Sequence, residues 1–301
     1  MPCNQIPVVT LVLLAFSCSV FSADKIIHRQ KSLYRNIVVQ ESGSQRCLIF
    51  AVRKGDRNQT CMDMDEPEKI VFPYVRMTFA GLLVNPEPRS ILVIGLGGGT
   101  IPTVLAELFS EVPMDVVEID PAVVEVARQF FDYKERTGVT VHVQDARIYI
   151  KRAGLLKKQY DMIILDAFTG DYIPEHLMTM EFLQETRTLL TESGVLVANT
   201  FSTSDLYDHE SVTYDAVFEE FINFKMPGSM NRVIITARNS LPSRRVLRDR
   251  ANQIAGRLDT YSIPIANYIP YLSKRKDWRK NTRPLTDQFS PANLLQGRQT
   301  P

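Results

Sequence analysis

The chain is poor in the residues that most metal and thiol chemistries require. Four cysteines occur in 301 residues, and two of them, Cys3 and Cys18, lie within the first 23. The remaining pair, Cys47 and Cys61, has no metal-ligand spacing. The four histidines, at 28, 142, 176 and 209, form no H-x-x-x-H pair, so no metal centre is expected. Charge of one sign is also lacking: 35 Lys plus Arg against 34 Asp plus Glu leaves +1, which makes no case for a nucleic-acid partner. No internal repeat is present. The apolar run over residues 8–16 is shorter than the roughly 20 residues of a membrane span, and no later segment reads as transmembrane. What is there is globular: 45% hydrophobic and 23% charged residues, in a length that suits one large domain or two ordinary ones.

The first 23 residues carry no charged side chain. An apolar core over 8–16 is followed by a stretch rich in small residues, and charge begins abruptly at Asp24 and Lys25. This is the pattern of a secretory signal peptide, although its start has no Lys or Arg. The expectation is a cleaved signal over 1–23 and an exported chain, periplasmic or secreted. A retained amino-terminal anchor is the alternative, with a cytoplasmic location if the signal reading fails. Residues 47–52 read as a strand and 54–58 as its turn, which brings Cys61 back towards Cys47. An oxidising compartment would permit a disulfide there.

Residues 24–70 read as a small amino-terminal β-domain, and 71–301 as a nucleotide-binding domain with a basic carboxy-terminal extension. A helix is expected over 71–86, ended by Pro86 and Pro88. From residue 90 apolar strands alternate with helices. Strands are expected at 90–95, 114–120, 139–143, 160–166 and 194–199, with a further one at 233–237. Helices are expected at 103–111, after Pro121, and at 179–190. Such strands, buried on both faces, predict an α/β fold with a parallel doubly wound, Rossmann-like sheet. The cations of residues 244–283 read as a solvated helix and loop, with an anionic partner as the other possibility.

In such a sheet ligands gather beyond the carboxyl ends of the strands. The first strand end offers Gly95, Gly97, Gly98 and Gly99, where the backbone can turn tightly and approach a ligand. No Gly-Lys-Ser/Thr follows, so this is not a P-loop. The second ends in Glu118 and Asp120, acids suited to the two hydroxyls of a ribose. The third ends in Asp145, placed to accept from an adenine amine, with Ala146 leaving room for a flat ring. Together these favour an adenosine-containing ligand. The fourth strand end, Asp166 with Thr169, Asp171 and Tyr172 after it, is polar enough to shape an acceptor pocket. Asp166 and Asp171 are candidates to bind an amine as a cation and to take its proton.

These residues also carry a likeness. The chain resembles the polyamine aminopropyltransferase family, whose familiar member is spermidine synthase, over roughly residues 32–294. The match is clearest at 93–100, 117–120, 145–146 and 160–182. It is also similar to the spermidine-synthase-like methyltransferase branch. The resemblance implies a class I methyltransferase-like sheet behind a small amino-terminal β-domain, and a homodimer. It also implies decarboxylated S-adenosylmethionine as donor and a putrescine-like amine as acceptor, with no metal. By position, Gly97 and Gly99 would lie on the donor's amino acid-derived arm, Glu118 on the ribose, and Asp145 and Ala146 at the adenine. Tyr34 would wall the acceptor side, and Asp287, within a closing L-T-D segment, would stand at the rim. Two positions depart from the family pattern. Thr100 stands where an aspartate contacts the donor's amine. Thr169 stands where the family has its general base; a hydroxyl has no suitable pKa, so Asp171 is the substitute candidate. Aminopropyl transfer is therefore the first expectation. The alternatives are methyl transfer from S-adenosylmethionine and a non-catalytic adenosine-ligand-binding protein of the same fold.

Overall fold

The computed structural model describes residues 24–52, 55–168 and 173–291; the expected signal over 1–23 lies outside them. Strands β1 (Lys25–Lys31), β2 (Asn36–Ser42), β3 (Gln45–Val52) and β4 (Gly55–Asp63) form an antiparallel meander in the order β1-β2-β3-β4. Cys47 and Cys61 stand opposite each other on β3 and β4 and are joined by a disulfide. The expected helix over 71–86 is instead a short α1 (Pro73–Thr78) that tightens into a 3₁₀ segment, Phe79–Leu83.

The remainder builds one sheet. In chain order come β5 (Ile91–Ile94), α2 (Thr100–Leu108), β6 (Met114–Glu118), α3 (Pro121–Phe130), β7 (Val139–Val143) and α4 (Ala146–Leu155). Then follow β8 (Tyr160–Leu165), α5 (Met180–Thr188), β9 (Leu190–Phe201), α6 (Tyr207–Phe218), β10 (Ile222–Lys225), β11 (Asn231–Ala237), α7 (Arg244–Leu258) and β12 (Leu272–Ser273). The spatial order is β12-β10-β11-β9-β8-β5-β6-β7. Strands β5 to β9 are mutually parallel where they pair. β11 pairs with β9 antiparallel, as do β10 and β12 with their neighbours, so the sheet is mixed rather than wholly parallel.

Alternate side chains of the central strands serve two cores, as the two-residue period of a strand requires. Ile91, Val93, Val116, Ile164 and Val197 pack with α1, α2 and α7. Leu92, Ile94, Val117, Ile163 and Leu196 pack with α4, α5 and α6. A third cluster joins Ile37, Val39, Leu48 and Phe50 of the small sheet to Ala122, Val123 and Val126 of α3. The meander is thereby seated over the carboxyl end of β6. The basic tail is largely tied down. Arg250 donates to the carbonyls of Leu83 and Val84, and Arg257, Lys274 and Lys276 pair with Glu87, Glu220 and Asp215.

The disulfide closes a loop with a sequence separation of 14, for which the chain-entropy account gives about 3 kcal/mol. Replacing Cys47 and Cys61 together by alanine should lower the unfolding free energy by roughly 2–3 kcal/mol in denaturant titrations. Added reductant should mimic the double variant. Equal stability with and without reductant would show that the native protein does not hold the bond.

Candidate functional site

β5 lies between β6 and β8, and here the strand order reverses. A cavity of about 410 Å³ opens beyond the strand ends at this switch point, a size suited to a nucleoside-bearing small molecule. Its floor is made by Gly95 and Gly97 after β5, Glu118 at the end of β6, Gln144 to Ala146 after β7 and Asp166 to Phe168 after β8. The small sheet supplies Tyr34, Arg35, Phe50 and Gln59 as a wall, α1 adds Tyr74, and Pro174, His176 and Leu177 close another side.

Gly95 has φ of +98°, and a Cβ there would stand 2.3 Å from the carbonyl oxygen of Asp166. Only glycine lets β5 and β8 end this close together. Gly97 also has positive φ, and the space where its Cβ would stand is open. The other two glycines turn elsewhere. A Cβ on Gly98 would strike Thr60, and one on Gly99 would strike the Tyr133 ring. Both line a separate cavity with Thr100, whose hydroxyl lies 3.4 Å from that of Thr60. Gly98, Gly99 and Thr100 thus support the loop from behind and do not line the main cavity.

Glu118 is buried and reaches it. Its carboxylate accepts from the backbone N–H of Leu96 at 3.1 Å and of Asp120 at 3.0 Å. Burial raises its pKa, and those two N–H groups oppose the rise. A carboxylate fixed this way keeps acceptor capacity for vicinal hydroxyls. Asp120, grouped with it from sequence, has another task. It caps α3 by accepting from the Ala122 N–H, accepts from the Ser32 hydroxyl at 2.6 Å, and pairs with Arg35 at 3.5 Å. Its lone pairs are occupied in tying the small sheet to α3. The Asp-Pro pair at 120–121 was the available signal, because it marks an N-cap followed by proline at N1.

Asp145 caps α4 through the Ile148 N–H, and its other oxygen lies 2.9 Å from His176 Nε2. Ala146 lies beside it in the cavity wall. Asp287 does not line the cavity. Arg147 grips both of its oxygens, at 2.6 and 2.7 Å, and Thr179 donates to one of them. These bonds hold the carboxy-terminal strap against α4 and α5, and they keep the carboxyl below the usual carboxylate range. Thr169, Asp171 and Tyr172 lie outside the described residues.

Asp166 is a second buried acid in the cavity. Burial pushes its pKa up to about 7, opposed by a hydrogen bond from Asn199 Nδ2 at 2.8 Å. Tyr74 is raised as well, first by burial and then by the negative charge of Asp166. Arg35 crosses the entrance, its guanidinium 4.3 Å from the centre of the Phe50 ring and donating to the Phe168 carbonyl. Sequence reasoning missed Arg35, Gln59, Tyr74, His176 and Asn199. Each comes from a different element: the first four line the cavity, and Asn199 stands behind it, bonded to Asp166. Among the described residues no cluster of His, Cys, Asp and Glu suits a metal ion, and no helix is long and apolar enough to cross a membrane.

The raised pKa of Asp166 has a thermodynamic consequence. The folded carboxyl holds its proton up to about pH 7, whereas the unfolded one releases it near 3.8. Between those values the folded state binds more protons, so this group's contribution to stability falls as pH rises. Thermal melts of the wild type against Asp166→Asn from pH 4 to 8 should show that component in the wild type alone. Parallel curves would contradict it.

The spermine/spermidine synthase domain family matches residues 74–224. A polyamine aminopropyltransferase of Vibrio vulnificus is 56% identical over 292 residues, which is 95% of this chain and 98% of that protein. The human eEF1A lysine and N-terminal methyltransferase is 32% identical over 168 residues, 51% of this chain but 24% of that protein. Among solved structures, a probable spermidine synthase from Corynebacterium glutamicum superposes with a TM-score of 0.63 at 20% identity, covering 85% of this chain and 98% of that one. That last likeness speaks to the fold. By the family match and the near full-length identity, this chain belongs to the spermine/spermidine synthase family, the polyamine aminopropyltransferases.

Proposed function

We propose that the chain transfers the aminopropyl group of decarboxylated S-adenosylmethionine to a polyamine acceptor such as putrescine. The near full-length likeness to a polyamine aminopropyltransferase carries this reading, and the cavity offers chemistry that suits it. The donor's adenine would lie by Asp145 and Ala146, its ribose hydroxyls on Glu118, and its sulfonium arm across Gly95 and Gly97. The acceptor amine would approach from the Asp166 side, between Tyr74 and Phe168. Its nitrogen lone pair forms the new C–N bond at the carbon beside sulfur. The C–S bond breaks, and its electron pair leaves with methylthioadenosine. The attacking nitrogen then sheds a proton, for which Asp166, ionised above about pH 7, is the acceptor in reach. The sulfonium is already a good leaving group, so catalysis is alignment plus proton removal. Asp171, outside the described residues, stays the second candidate for amine binding.

Incubation with decarboxylated S-adenosylmethionine and putrescine should yield spermidine and methylthioadenosine in equal amounts by mass spectrometry. A methylated product from S-adenosylmethionine, with none from the decarboxylated donor, would overturn the reading in favour of methyl transfer. Glu118→Ala should weaken donor binding in calorimetry by at least about tenfold, the loss of a charge-assisted hydrogen bond. Unchanged affinity would put the ribose elsewhere.

Export and self-association belong to the same proposal. The uncharged, apolar amino-terminal segment and the Cys47–Cys61 disulfide support an exported chain, and the family resemblance supports a homodimer. Amino-terminal mass spectrometry of the protein from its native host should find a start near residue 23 or 24. An intact Met1 on cytoplasmic protein would refute export. Sedimentation should give about twice the 34.3 kDa chain mass, less the signal.

A further inference from the structure

Two asparagines stand behind the carboxylate that faces the acceptor. Parallel pairing of β8 with β9 matches Leu165 with Ala198, so the next residues, Asp166 and Asn199, emerge side by side. Antiparallel pairing of β9 with β11 places Asn199 opposite Val233 and Asn231 opposite Phe201. Asn231 therefore stands two residues along from Val233, on the same face as Asn199. The side chains use that placement. Asn231 Nδ2–H donates to Asn199 Oδ1 at 3.0 Å, and Asn199 Nδ2–H donates to Asp166 Oδ1 at 2.8 Å. Asn199 is 2% exposed, so water does not compete for its amide.

The polarity of this chain of bonds follows from the carboxylate. An ionised Asp166 only accepts, so Asn199 must turn its NH₂ towards it. That leaves the Asn199 oxygen to a donor, which Asn231 supplies. Every bond in the row agrees with an ionised Asp166, and such rows reinforce one another in a low-dielectric setting. Among the described residues, the other titratable or charged groups lining the cavity are Tyr34, Arg35, Tyr74, Glu118, Asp145 and His176. Of these, the Tyr74 hydroxyl donates to the Gln59 carbonyl, and Glu118, Asp145 and Arg35 have the partners described above.

We infer that Asn199, itself oriented by Asn231, is a positioning residue that favours the proton-accepting form of Asp166 and aims its free oxygen at the acceptor amine. This rests on the aminopropyl-transfer reading for its kinetic meaning, but the relay exists in the free protein and is testable there. A buried acid with no such donor stays protonated to higher pH.

The test has two arms. In the free protein, carboxyl carbon resonances of aspartate-labelled wild type, Asn199→Ala and Asn231→Ala are followed against pH, with Asp166→Asn to assign the signal. The Asp166 midpoint should rise by about one pH unit or more in Asn199→Ala, and by less in Asn231→Ala. In turnover with decarboxylated S-adenosylmethionine and putrescine, the acid limb of kcat/KM should move up with it. At pH 7 the Asn199→Ala rate should fall about fivefold to tenfold relative to wild type, and the deficit should shrink near pH 9. Donor affinity should be unchanged. Asn199→Gln, which keeps an amide, should recover part of the shift. If Asn199→Ala does not fold, the half-buried Asn231→Ala carries the same test. Folded variants whose Asp166 midpoint and acid limb match the wild type would overturn the inference. A wild type inactive with this donor and acceptor would instead defeat the functional reading, leaving the free-protein titration to decide the relay.

Discussion

The site depends on one close approach. The Asp166 N–H donates to the Ile94 carbonyl, the Gly95 N–H donates to the Val117 carbonyl, and the Asp166 carbonyl occupies the space a Gly95 side chain would need. β5 and β8 therefore end in contact. The chain leaving β5 has to turn one way into the glycine loop, and the chain leaving β8 the other. The cleft between them is the cavity. It places the loop that would hold a sulfonium donor within one strand spacing of the carboxyl that would meet an amine, which is the juxtaposition a displacement between two bound substrates needs.

Around that contact the protein withdraws its acids from water by design of position rather than by pairing. Glu118 and Asp166 are both pushed up by burial, and the protein opposes the shift with neutral donors: two backbone N–H groups for the first, an asparagine amide for the second. Among the described residues neither forms an ion pair, although the positive charge of Arg35 also acts to lower Glu118. A cationic ligand is then the natural source of compensating charge, and both proposed substrates are cationic. The small sheet completes the enclosure. It is held by its own apolar cluster on α3 and by Asp120, which binds Ser32 and Arg35.

Other carboxylates show what the same residue type does away from the cleft. Asp115 accepts from Tyr160 and Lys158 and meets His142, and those partners hold it down to about 2 against the opposing effect of burial. Asp287 is clamped by Arg147 and Thr179. These acids have cations or several donors and serve as ties. The difference between a tie and a site lies in the partners, and partners come from distant parts of the chain. That is why Asp120 and Asp287, which look from sequence like members of the site, are scaffold.

The sequence by itself determined the alternating strands and helices, the strand-end positions of Gly95, Gly97, Glu118, Asp145 and Asp166, and the approach of Cys61 to Cys47 across a hairpin. These are local properties: apolar runs bounded by turns, a glycine-rich loop, a two-residue period. It also carried the family likeness. The antiparallel pairing of β11, β10 and β12 at one side of the sheet, the short α1 and the division of the glycine loop into a cavity-facing half and a supporting half came only with the tertiary structure. So did Arg35, Tyr74, His176 and the Asn199–Asn231 relay. Each of these depends on register between strands far apart in the chain, or on which face of a loop meets a neighbouring ring. A one-dimensional pattern holds no record of such a distance, because the packing that sets it is made by the whole fold at once.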